Sequence, residues 1–159
     1  MIALSLVVAV SLGGVDSLAK TTLQGLSFKA PTKWQKTQPD ENSLQWDEPE
    51  SGASLAVSVY GVDPQRPAAA CVKQLVEAVG AEGFSPVTLG ASPASKKISS
   101  DYVGEGEAAK TDANKVTTTT VLGCNGKKKW VLTWTAKTSE GARFGPILKR
   151  VLDSISYGK

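Results

Sequence analysis

Residues 116–136 read VTTTTVLGCNGKKKWVLTWTA, two β-rich runs meeting at Asn125-Gly126. An Asn-Gly pair between β-branched and aromatic runs is the strongest short-range signal for a hairpin closed by a two-residue type I′ turn. A hairpin this long constrains everything else, because the parity of its strands fixes two faces and the apolar one has to be covered. Counted outward from a turn at Asn125-Gly126, Cys124 faces Lys127, Leu122 faces Lys129 and Val121 faces Trp130. Val121, Trp130, Leu132, Trp134 and Ala136 then share one face, an aromatic surface that belongs in a core. The other face carries Thr118, Thr120, Leu122 and Cys124. Lys127, Lys128 and Lys129 gather at the tip, where they blunt an edge and form a candidate partner surface.

The cover for the tryptophans lies at the end of the chain. GARFGPILKRVLDSISY places Phe144, Ile147, Leu148, Val151, Leu152 and Ile155 on one helical stripe. A first helix is predicted after Pro67, with Val72, Leu75, Val76 and Val79 at i, i+3, i+4 and i+7 before Gly80. Strands are predicted over LSFKAP (26–31), Ser43 to Trp46 and GASLAVSVYGVD, where Leu55, Val57 and Val59 share a face. A further strand of mixed polarity sets Ile98, Ser100 and Tyr102 against Lys97, Ser99, Asp101 and Val103. These elements predict an α+β fold, a three-layer α/β/α sandwich with an antiparallel sheet and a helix on each side. Trp34, Trp46 and Tyr60 are the candidate lining of a small-ligand crevice between sheet and helix.

Cys71 and Cys124 are the two cysteines of the chain, with no C-x-x-C spacing between them. A widely separated pair of this kind is most simply a structural disulfide, which would tie the first helix to the sheet face opposite the tryptophans. The N-terminus points to the compartment where such a bond forms. An apolar run from Ile2 to Leu12, followed by Ser17 and Ala19 at the −3 and −1 positions, predicts a signal peptide over 1–19 and a single domain over 20–159. The run is too short to span a bilayer. The expected location is therefore outside the cytoplasm, periplasmic or extracellular.

The chain has no histidine. Ser-His-Asp and Cys-His nucleophiles, imidazole acid–base catalysis and histidine-ligated metals are all excluded. No G-x-x-x-x-G-K-[ST] loop is present to cradle a phosphate. A formal net charge of +3 from 18 basic and 15 acidic residues lacks the basic density of a nucleic-acid binder. Asp47, Glu48 and Glu50 fall in WDEPES without calcium-loop spacing and are expected to form a solvated acidic turn. Glu105 and Glu107 are expected on one strand face as surface charge. No catalytic residue, cofactor or metal site is expected.

Three stretches resemble a known family: the entry LSFKAPTKW, the GASLAVSVYG strand ahead of a helix, and the long hairpin leading into GARFGPILKRVLDSISY. From about Leu26 onward the order of elements is similar to that of the PsbP-like superfamily. That superfamily is named for the extrinsic protein of photosystem II, and it includes bacterial envelope lipoproteins and a Ran-binding nuclear import factor. The resemblance implies a PsbP-like α/β/α domain and a non-catalytic binding or assembly factor of the cell envelope. The partner it implies is another envelope protein, with peripheral membrane contact and no nucleic acid.

Overall fold

The computed structural model describes residues 16–157. The first fifteen residues of the expected signal peptide lie outside the described residues. Leu18 and Ala19 open the first strand, so cleavage after Ala19 would remove its first two residues.

Ten strands and two α-helices make up the described chain: β1 (Leu18–Leu23), β2 (Leu26–Pro31), β3 (Gln35–Asp40), β4 (Ser43–Asp47), β5 (Ser54–Gly61), α1 (Ala68–Val79), β6 (Ser85–Leu89), β7 (Ser92–Tyr102), β8 (Lys115–Cys124), β9 (Lys128–Lys137), α2 (Gly141–Asp153) and β10 (Ser156–Tyr157). They form two sheets where the sequence pattern predicts one. Seven strands pair in the order β3-β4-β5-β9-β8-β7-β6, and β1-β2-β10 form a separate three-stranded sheet. The small sheet arises because β1 folds straight back on β2 through Gln24 and Gly25. Both have positive φ, as a type I′ turn requires. All pairings in both sheets are antiparallel.

Parity sorts the side chains as the sequence predicts. Leu55, Val57 and Val59 of β5, Val121 of β8 and Trp130, Leu132, Trp134 and Ala136 of β9 are buried in the main core. Phe144, Ile147, Val151 and Leu152 of α2 close over them, and the small sheet adds Leu26, Phe28 and Ala30. Trp134 meets Phe144 at 6.3 Å between ring centroids, and Trp46 meets Phe28 edge-on at 5.7 Å. A second, separate cluster is built from Cys71, Val72 and Cys124, with Leu75 and Val76 half-buried against it. Cys71 and Cys124 are disulfide-bonded with their Cα atoms 6.1 Å apart. Val79, the last residue of the predicted α1 stripe, is exposed because the helix ends there, beyond the cluster.

The hairpin register corrects the sequence expectation. Cys124 pairs with Lys129, Gly123 with Trp130 and Leu122 with Val131. The central pair of the turn is Gly126-Lys127 rather than Asn125-Gly126, and of the two only Gly126 has positive φ, as in a type II′ turn. Asn125 serves as the bracket. Its backbone N–H donates to the Lys128 carbonyl, and its side-chain oxygen accepts from the N–H groups of Lys127 and Lys128. Gly126 lies so close to the Arg66 carbonyl that any Cβ there would collide with it. The shift moves each partner by two positions, so the faces are unchanged.

Candidate functional site

The hairpin tip is docked rather than free. Val62 donates its N–H to the Lys127 carbonyl at 2.9 Å and Arg66 to the Gly126 carbonyl at 3.3 Å. Of the three tip lysines Lys127 is exposed, while Lys128 and Lys129 are half-buried opposite Gly61 and Tyr60. None has a carboxylate within 4.0 Å among the described residues. Lys129 and Arg66 line a shallow depression beside the disulfide, together with Asp63 and Gln74.

Trp34, Trp46 and Tyr60 do not line one crevice. Trp34 is buried between Trp134 (5.1 Å) and Phe144 (5.8 Å), and Trp46 is buried against Phe28. Tyr60 lies on the opposite face of the large sheet and is 43% exposed. The physical reason is alternation along β5: Val59 points into the core, so its neighbour must point out.

The acidic groups also separate. Glu48, expected in a solvated turn, is buried. Its carboxylate accepts from the hydroxyl and the N–H of Ser51 and lies 3.8 Å from Arg143 at the start of α2. The Ser51 hydroxyl is the main cause holding its pKa below the usual carboxylate value; burial opposes this, while the Ser51 N–H and Arg143 reinforce it. Glu105 and Glu107 share no strand face, since β7 ends at Tyr102; Glu107 pairs with Lys110 in a short 3₁₀ turn. Among the described residues no three acidic or cysteine side chains converge on a common point.

What sequence reasoning missed is a groove on the core-facing side of the large sheet, where α2 stops covering it. Val87 and Leu89 of β6, Ile98 of β7, Thr119 of β8 and Leu148 and Leu152 of α2 line about 430 Å³. It continues past Thr119, Gly145 and Leu148 into a smaller recess of about 140 Å³ under the start of α2. Ile98 is 61% exposed on its floor, and Tyr102, farther along the same strand face, is 36% exposed. The signal was present in the alternation Ile98, Ser100, Tyr102, two large apolar residues on a strand face that no predicted helix reaches. A second groove of about 460 Å³ separates α1 from β6 and β7, walled by Val72, Val76, Phe84 and Pro93.

Comparison by sequence finds no matching family model and no matching curated protein. Comparison by structure does find matches. The solution structure of cyanobacterial PsbP (CyanoP) from Synechocystis sp. PCC 6803 superposes with a TM-score of 0.62 at 10% identity, over 92% of this chain and 95% of that one. A crystal structure from Bacteroides thetaiotaomicron superposes with a TM-score of 0.64 at 12% identity, over 85% of this chain. This chain spans 46% of that protein's length.

Proposed function

We propose, taking a PsbP-like fold as the premise, that this protein is an exported, non-catalytic binding or assembly factor of the cell envelope that acts through contacts with another envelope protein. The observation that carries this is the division of its apolar side chains. All four tryptophans are buried in a filled core, while Ile98 and Tyr102 remain exposed on one face of β7. A carrier encloses its ligand among aromatics, whereas a partner-binding module leaves an apolar patch open to be covered. The disulfide supports a periplasmic or extracellular location, because such bonds persist in oxidising compartments. No helix among the described residues is long and apolar enough to cross a membrane. In the proposed architecture α1 and α2 flank the large sheet from opposite sides, with the small sheet beside α2.

The test is affinity capture from envelope extract with the chain starting at Lys20, alongside native mass spectrometry of the purified protein. A protein recovered in stoichiometric amount, in competition with untagged chain, is the expected result. A retained small molecule with no protein partner would favour the carrier instead. The variant carrying K127A, K128A and K129A tells whether the tip takes part: loss of capture assigns the tip to the interface, and unchanged capture assigns binding elsewhere.

A further inference from the structure

β7 is paired on both sides for only part of its length. β6 meets it from Ser92 to Lys96 and no farther. Ahead of β6 the chain turns away at Gly83, where φ is positive and the glycine lies against the Lys97 side chain. From Ile98 to Tyr102 the strand pairs with β8 alone, and every residue of that stretch is exposed.

The alternation of the ladder fixes which backbone groups point outward. Val103 donates its N–H to the Asn114 carbonyl, so in this register Asp101 and Ser99 also turn their amides and carbonyls toward β8. Ile98, Ser100 and Tyr102 turn theirs to the open edge. The Tyr102 N–H is held by the Asp101 carboxylate at 2.8 Å. The N–H groups of Ile98 and Ser100, and the carbonyls of all three residues, have no partner among the described residues. Side chains flank this edge on two faces. On the core-facing side Ile98 and Tyr102 stand exposed, and Ile98 opens onto the groove walled by Val87, Leu148 and Leu152. On the other side Asp101 has no cation within 4.0 Å among the described residues.

We propose that the edge from Ile98 to Tyr102 takes up an extended segment of a partner protein as an added strand, with aliphatic side chains beside Ile98 and Tyr102 and a basic residue beside Asp101. This rests on the partner-binding function proposed above and names the surface and the chemistry of what it takes. The unpaired amides and carbonyls select an extended chain, because a strand presents free donors and acceptors at the matching spacing, whereas a helix has already used its own. The added strand lies in line with β6, so its core-facing side chains continue the row that Val87 and Leu89 begin. The basic residue answers the free carboxylate on the opposite face. A second copy of this chain fits less well. Paired about a two-fold axis at Ser100, it would set Asp101 diagonally across from its own counterpart, a like-charge contact. It would also bring Val103 beside Lys97, where Gly83 and Phe84 of the other copy already lie.

The experiment places a photo-cross-linking p-benzoylphenylalanine at position 100 and, in separate proteins, at 60 and 127, in the chain used for envelope capture. The expected result is a cross-link from 100 that maps by mass spectrometry to a segment alternating aliphatic and polar residues, one of them basic. A synthetic peptide of that segment is then added to the purified chain. Its affinity is expected to fall about tenfold when every second amide is N-methylated, and to hold when the intervening amides are. Amide exchange at Ile98 and Ser100 should be fast in the free chain and slow with the peptide bound, while Ser99 and Asp101 stay slow throughout. Ser100→Pro removes an outward N–H and should weaken peptide binding by about tenfold as well. Cross-links confined to 60 or 127, binding indifferent to which amides are methylated, or unchanged exchange at Ile98 and Ser100 overturns the added strand and leaves partner binding standing. A cross-link from 100 to a second copy of the chain overturns the foreign segment. Absence of any captured protein overturns both proposals.

Discussion

Gly123 faces Trp130 across the central hairpin, and any Cβ there would enter the indole ring. Gly123→Ala is therefore expected to destabilise the fold by about 1 to 3 kcal/mol, measured by urea denaturation, with the loss recovered in part when Trp130 is shortened to Phe. The same indole N–H donates to the Tyr157 hydroxyl, which links β9 to the last described residue. Burial pushes the Tyr157 pKa up to about 12 from 10.0, opposed by that hydrogen bond. A raised folded pKa on this acid means stability is intact below pH 10 and declines as the pH rises toward 12. Tyr157→Phe should flatten that alkaline slope in thermal melts between pH 9 and 12. Glu48 has the opposite sign. Its lowered folded pKa contributes stability that is present above its ordinary value of 4.5 and lost as the pH falls through the folded value. Glu48→Gln should lower stability at pH 7 by about 1 to 3 kcal/mol and weaken the acid dependence, which urea midpoints from pH 7 down to 3 would read out.

At the scale of elements, α1 differs from α2 in how it is held. α2 is part of the main core, whereas α1 rests on the small cluster around Cys71, Val72 and Cys124. The disulfide closes a separation of 53 residues, worth about 4 kcal/mol in the chain-entropy model. Replacing both cysteines with serine should lower global stability by about that amount, and amide exchange should speed up in α1 well before it does in β9. Hairpin faces, both helices and the cysteine pairing are legible in the sequence because each rests on periodicity or on a unique pair. The turn register is not. It is settled by the 62–66 segment docking on Gly126, a tertiary contact that local turn statistics do not contain. β3 is likewise hidden: Gln35–Asp40 is exposed throughout and shows no alternation to detect. Trp34 and Trp46 fail as crevice residues for a related reason, since an aromatic near a strand end has the same local pattern whether the layer above it is open or filled.

For the whole molecule, the separation of a filled core from the open groove beside α2 predicts that substitutions in the two places act very differently on stability. Ile98→Asp should leave the unfolding midpoint within about 0.5 kcal/mol of wild type, as exposed positions do, while Phe144→Ala should cost about 3 to 5 kcal/mol. Differential scanning calorimetry of the two variants checks the contrast. The groove is legible only here, because its existence depends on how far α2 reaches across the seven strands.

β2 sits between β1, its neighbour in the chain, and β10, the last strand. Its position sets an order of events during synthesis. Both α2 and β10 follow in the chain every strand that they cover, so a chain made from its N-terminus holds the apolar face of β5 and β9 unroofed until α2 has emerged. Until that moment the tryptophan face is a transiently exposed apolar surface of the kind that chaperones hold.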